Sequence, residues 1–261
     1  MPFRSRIRAV KRFITDMPII ADAITVTMIS DSDAMEPLER AKFIIRNQDE
    51  SGYLDAYNIL VREAKNGSSD AHYYIGLMYA RGQFLAKDYY SARVWFEKGL
   101  HGGHPASAYY LGMMYLNGLG TDRDPEMAKK YFLTAAARGD VRAEYELGLI
   151  HFKDDGIPRD LTVAANWMEQ AASHGHMEAQ FVLGQFYKTG AGVEKDVDCA
   201  IKWLTESAKR GHLGAQLLLG NMYKIGDDVE PDDVEADRWY DMADKNTANS
   251  KIRNIPGRAS G

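Results

Sequence analysis

The chain has one cysteine, eight prolines in 261 residues and no long apolar run, and each scarcity closes off a class of protein. A single thiol, Cys199, cannot form an internal disulfide, so nothing demands an oxidising compartment. Cys199 stands next to Ala200 without any flanking catalytic signature and reads as a buried structural cysteine. No stretch approaches the roughly 18 consecutive apolar residues of a membrane-crossing helix. Positive charge is also lacking: the net charge is -5, which argues against a protein that binds nucleic acid mainly by neutralising phosphates. What is present is 45% hydrophobic and 26% charged residues, an ordinary globular balance with enough apolar material for a sizeable core.

The first 35 residues differ from the rest. Arg4, Arg6, Arg8, Lys11 and Arg12 resemble the start of an export signal, but Asp16, Pro18 and Asp22 interrupt what would be its apolar core. The segment is therefore expected to be uncleaved and the protein cytoplasmic; a periplasmic location is the alternative if this is an atypical export signal. Phe3, Ile7, Val10 and Ile14 share one helical face among those basic residues. Weak membrane-surface or partner contact is one reading of that face, and a flexible or capping arm is the favoured one.

Self-similarity organises everything that follows. Gly76, Gly112, Gly148, Gly184 and Gly220 recur at intervals of 36 residues without insertion or deletion. The same step relates Tyr79, Tyr115, His151, Tyr187 and Tyr223, then Ala92, Ala128, Ala164, Ala200 and Ala236, then Trp95, Tyr131, Trp167, Trp203 and Trp239. Within a unit the spacing is helical: Ala179, Leu183 and Tyr187 fall on one face, and Ala200, Trp203, Leu204 and Ala208 on another. Two amphipathic helices per unit follow, joined by glycine-rich turns such as Gly118-Leu-Gly120 and Gly190-Ala-Gly192. Asp88, Asp124, Asp160, Asp196 and Asp232 fit the N-cap of the second helix, and Pro125 suits the first position after such a cap. Gly103, Gly139, Gly175 and Gly211 are expected to end the second helices as left-handed caps.

A glycine inside a helix costs roughly 1 kcal/mol relative to alanine. Repeating it in every unit implies close helix approach, and the expected neighbour is the large ring at the 95/131/167/203/239 position. Truncating such a ring, at Trp167 or Trp203, would then cost about 3 to 5 kcal/mol.

These residues strongly resemble Sel1-like repeats, relatives of the tetratricopeptide repeat, whose pattern is A-x-F/Y-x-L-G-x-x-Y-x-x-G-x-G-V-x-x-D-x-x-x-A-x-x-W. It is nearly complete at Ala179, Phe181, Leu183, Gly184, Tyr187, Gly190, Gly192, Val193, Asp196, Ala200 and Trp203. Departures are Ser107, His151, Tyr131, Phe84 and Asp228, the last two replacing the second turn glycine and suggesting modified turns in the first and last repeats. The resemblance implies an all-α fold, a right-handed α-solenoid superhelix of stacked helix-turn-helix repeats of 36 residues, and a bacterial adaptor or scaffold. The units are 69–104, 105–140, 141–176, 177–212 and 213–245. A degenerate repeat spans 36–68, where Arg40 replaces the glycine, and a flexible tail covers 246–261.

Such a stack offers an extended concave face of first helices. If the tetratricopeptide geometry transfers, its inward positions are Leu77, Met113, Leu149, Gln185 and Asn221, and Ala80, Leu116, Phe152, Lys188 and Lys224, running from apolar to polar or basic. Tyr73, Tyr109, Tyr145 and Phe181 lie one turn earlier, as interface anchors or as part of each repeat's own core. The expected function is non-catalytic binding of a protein or peptide, with an apolar segment on the early repeats and an acidic end near Lys188 and Lys224. A regulatory or immunity-type inhibitor of one cognate enzyme is the alternative, and the oligomeric state is left open. Neither a cofactor nor a metal is expected: His104, His176 and His212 are equivalent positions in different layers, too far apart to share a zinc ion. The acidic run from Asp227 to Asp237 lacks calcium-loop spacing and reads as a solvated end of the stack.

Overall fold

The computed structural model describes residues 35–253, with side chains described to residue 247. The expectations for the N-terminal segment and for residues 254–261 lie outside them. The described residues form twelve α-helices and no strand: α1 Pro37–Asn47, α2 Tyr53–Lys65, α3 Ser69–Arg81, α4 Tyr89–His101, α5 Pro105–Asn117, α6 Pro125–Ala136, α7 Val141–Phe152, α8 Leu161–Ser173, α9 Met177–Thr189, α10 Val197–Lys209, α11 Leu213–Ile225 and α12 Asp233–Arg253. Each repeat is a hairpin, and its second helix packs both on its own first helix and on the first helix of the next repeat. The pair α1 and α2 supplies the degenerate unit in front. Helix α12 continues to Arg253, through residues assigned above to a tail, because Asn246 donates to Gln216 Oε1 at 3.0 Å and to the Gly211 carbonyl at 3.5 Å.

Capping follows the register. Asp88, Asp124, Asp160 and Asp196 each accept a backbone N–H bond from the first turn of the second helix, and Asp232 does the same for Glu235. Gly103, Gly139, Gly175 and Gly211 have φ of 90°, 80°, 87° and 99°, the left-handed stops expected of them.

The mid-helix glycines meet a different partner from the expected one. A Cβ on Gly76 or Gly112 would lie 2.8 or 2.6 Å from the ring of Phe96 or Phe132. On Gly148, Gly184 and Gly220 it would lie 2.8 Å from Met168, 2.7 Å from Leu204 and 2.6 Å from Tyr240. The knob is therefore the residue after the Trp position. Ala92 and Phe96 are four apart and share the inward face of α4, whereas Trp95 is turned about 100° away along the helix. Phe96, Phe132, Met168 and Leu204 are wholly buried, while Trp95, Tyr131, Trp167 and Trp203 are only half-buried. Complete burial of such a side chain contributes about 1.5 to 3 kcal/mol, so in the first four repeats the varied position and not the aromatic one holds the hairpin closed; in the last, Trp239 is itself buried, at 4% exposed, and Tyr240 is half-buried.

The turns of the first and last repeats are not modified. Phe84 and Asp228 take φ of 66° and 65°, matching Gly120 and Gly192 at 69° and 74°. In the middle repeats a side chain there has no room, since a Cβ on Gly192 would overlap the Leu161 carbonyl. At the ends the strained residue gains a contact instead: the Phe84 ring lies 5.6 Å from Tyr57 of the degenerate unit, and Asp228 accepts a bond from Lys195 at 2.7 Å.

Candidate functional site

The aromatic row of the first helices is occupied by the stack itself. The His104 ring stacks on Tyr73 at 4.0 Å, His176 on Tyr145 at 4.4 Å and His212 on Phe181 at 4.3 Å. At Tyr109 the equivalent residue is Asp140, and the Arg142 guanidinium takes the place of an imidazole, 4.0 Å above the ring. Asp140 holds it there by two bonds, Nε to Oδ1 at 2.9 Å and Nη2 to Oδ2 at 2.6 Å. Burial, and then the charge of Glu146, pushes the Tyr109 phenol up to about 12. Tyr73 is likewise raised, first by burial. These rings join successive repeats.

The inward positions divide. Leu77 is only 3% exposed and belongs to the core shared with the degenerate unit, so it is not a contact surface, a correction to its expected role. Ala80 packs at the edge of the same core. Phe152 is half-buried against Phe186 at 5.6 Å, with the Arg159 guanidinium 5.4 Å over its ring. Met113, Leu116 and Leu149 remain half-buried. Leu116 on α5 and Leu149 on α7 line a cavity of about 300 Å³, together with Arg123, Glu146, Lys153 and Asp155. Arg123 is neutralised there by Asp155 at 2.6 Å.

The basic end is also not free. Lys188 pairs with Asp227 at 2.8 Å and lies 3.8 Å from Asp228, while Lys224 pairs with Asp233 at 2.9 Å. Gln185 is exposed, and Asn221 accepts a bond from the Tyr240 hydroxyl at 2.8 Å. The acidic run thus neutralises the lysines expected to receive an acidic partner. The residue missed by sequence reasoning is Glu146, although the register exposes it: its equivalents are Tyr74, Tyr110, Val182 and Leu218, all apolar or aromatic.

The histidines have structural duties. Imidazole Nδ1 of His176 accepts the Ala179 N–H at 3.3 Å and that of His212 accepts the Ala215 N–H at 3.0 Å, which makes them N-caps of α9 and α11. Both rings are held below the usual imidazole value, chiefly by burial, as befits an acceptor nitrogen. His174 turns away to Glu144, at 2.8 Å. Among the described residues no three His, Cys, Asp or Glu side chains gather as a metal site, and no helix is long and apolar enough to cross a membrane. Cys199 is half-exposed rather than buried, because it sits in the first turn of α10, and its thiol is raised by a hydrogen bond to the Asp196 cap.

A stack of glycine-notched helical hairpins, each capped into the next, defines a solenoid repeat protein. The Sel1 repeat model matches residues 69–104, 105–140, 141–176, 178–212 and 214–243, so the chain belongs to the Sel1 repeat family. It is similar to a Sel1 repeat protein from Oxalobacter formigenes, at 29% identity and a TM-score of 0.71, over 82% of this chain and 88% of that one. It is also similar, at 26% identity and a TM-score of 0.72, to a protective antigen of uropathogenic Escherichia coli strains, over 80% of this chain but only 45% of that one. An immunity protein from Pseudomonas aeruginosa, at 19% identity, a TM-score of 0.50 and coverage of 78% and 80%, shares the fold alone. No curated protein sequence matches the chain significantly.

Proposed function

We propose that this Sel1 repeat protein is a non-catalytic adaptor that holds a protein or peptide segment on the face formed by its first helices. The observation that carries this is the pair Leu116 and Leu149, which pack on one side against the core and on the other form half-buried walls of an open cavity at the α5–α7 junction. Apolar side chains left beside a concavity are a common anchor for a partner. The contact surface on this reading centres on repeats two and three.

The test is a quantitative pull-down from the source cells with the full chain and with Met113, Leu116 and Leu149 changed together to Asp. The expected outcome is selective loss of one or a few captured proteins, at a temperature where circular dichroism shows both chains folded. Equal capture by both chains would refute the reading. Tight one-to-one capture of an enzyme that loses its activity in the complex would make the protein an inhibitor and not a scaffold.

A further inference from the structure

We propose that the cavity between α5 and α7 is a receptor for a lysine or arginine side chain of the protein partner, with Glu146 as its acceptor. This rests on the adaptor reading and reverses the charge expected of the partner.

Glu146 is the only acidic residue at a register position that is otherwise Tyr74, Tyr110, Val182 and Leu218. A carboxylate in that place loses hydration and needs a partner. The helix holds a ready one, since Arg142 is four residues earlier and such a pair is a standard helical ion pair. Asp140 removes it: the two bonds to Asp140 turn the guanidinium back over Tyr109. Arg123 is likewise committed to Asp155 and to the Leu116 and Asp155 carbonyls. Among the described residues the cation acting on Glu146 is the exposed Lys153, which also lines the cavity but lies outside ion-pair distance. Among the described residues no donor bonds the Glu146 carboxylate, and burial holds its pKa above the usual range.

The walls suit the ligand. A lysine or arginine side chain has an aliphatic stem ending in a charge, and Leu116 and Leu149 line the same cavity as the carboxylate. About 300 Å³ admits one such side chain. An acidic side chain would meet an unpaired carboxylate, and an apolar one would leave it dehydrated and unpaired.

The experiment selects a random dodecapeptide phage library on the immobilised full chain, discards peptides still bound by Leu149→Asp, and measures the remainder by fluorescence anisotropy. The proposal expects the cavity-dependent peptides to share a lysine or arginine. Replacing it by norleucine or citrulline should weaken binding to the wild type about tenfold or more, and to Glu146→Gln hardly at all. Lys153→Met, which removes the competing cation, should tighten binding. Cavity-dependent peptides without a basic residue, or with equal affinity for Glu146→Gln, overturn the proposal and leave the adaptor reading standing. If no selected peptide depends on Leu149, both fall. Glu146→Gln should melt no lower than the wild type at neutral pH, and a lower melt would make Glu146 a structural residue and overturn the proposal.

Discussion

Gly112 and Phe132 give the sharpest test of how the hairpins close. Alanine at 112 would put Cβ 2.6 Å from Cε1 and 2.7 Å from Cδ1 of a ring that is 0% exposed. Overpacking of this kind costs about 1 to 3 kcal/mol, against roughly 1 kcal/mol gained from helix propensity, so Gly112→Ala should destabilise by up to about 2 kcal/mol. Phe132→Ala alone should cost about 3 to 5 kcal/mol. In that background the obstacle is gone while the propensity gain remains, so Gly112→Ala should now stabilise by about 1 kcal/mol. The assay is urea unfolding followed by far-UV circular dichroism for the four members of the cycle, comparing midpoints at constant m. A Gly112→Ala effect of the same sign in both backgrounds would refute the reasoning. So would a reversal produced by Tyr131→Ala, the neighbouring ring.

Other outcomes follow from the same geometry. Gly190→Ala meets only left-handed strain, since its nearest neighbours lie 3.6 Å or more away, and should cost about 1 to 2 kcal/mol in an unfolding titration; Gly192→Ala, which collides with backbone, should cost clearly more. Because the His176 and His212 pKa values are lowered in the fold, the unfolded chain protonates first: their stabilisation is whole above about pH 6.5 and is lost as pH falls below that toward the folded values. Melts at about pH 7.5 and 5.5 should therefore fall further for the wild type than for His176→Asn/His212→Asn, whose caps do not titrate; equal falls would exclude the cap role. Lys188→Glu places a third carboxylate beside Asp227 and Asp228 and should lower stability by about 0.5 to 1 kcal/mol, whereas Lys224→Glu, at an exposed pair, should leave the melt unchanged.

The register made the fold legible because its signals are local. Asp124 and Pro125 mark a helix start, Gly139 marks a stop, and each needs only its own neighbours to act. The knob opposite the glycine was not legible from the shared pattern, because Phe96, Phe132, Met168, Leu204 and Tyr240 satisfy one demand, filling the notch, with four different kinds of side chain. Trp95, Tyr131, Trp167 and Trp203 recur more visibly yet lie on the flank, and only Trp239 of the last repeat is drawn into the core. The histidine caps were within reach: the position before each first helix reads Ser68, His104, Asp140, His176 and His212, and Ser68 and Asp140 are ordinary N-caps. Spacing alone could not reveal the pairing of Lys188 with Asp227, which lies across two turns of different repeats, and so the apparent basic end of the groove was an artefact of reading one helix at a time.

That pairing changes where function should be sought. An end repeat has a reason to depart from pattern, since it must meet solvent or a degenerate neighbour, and Phe84 and Asp228 are explained that way. The third repeat has full neighbours on both sides and yet departs most: Glu146 at an apolar position, His151 for tyrosine, and Asp154 at a turn site that is glycine in the other four repeats, held at a φ of 43°. None of these residues caps the stack, and one of them leaves a charge unpaired beside the cavity. The lysines of the later repeats, by contrast, are spent on internal ion pairs. Among the described residues the carboxylate left without a bonded partner beside this cavity is that of Glu146, with the exposed Lys153 as its competitor, so on the proposal above a partner segment carries its cation in the middle of its contact and not an acid at its end.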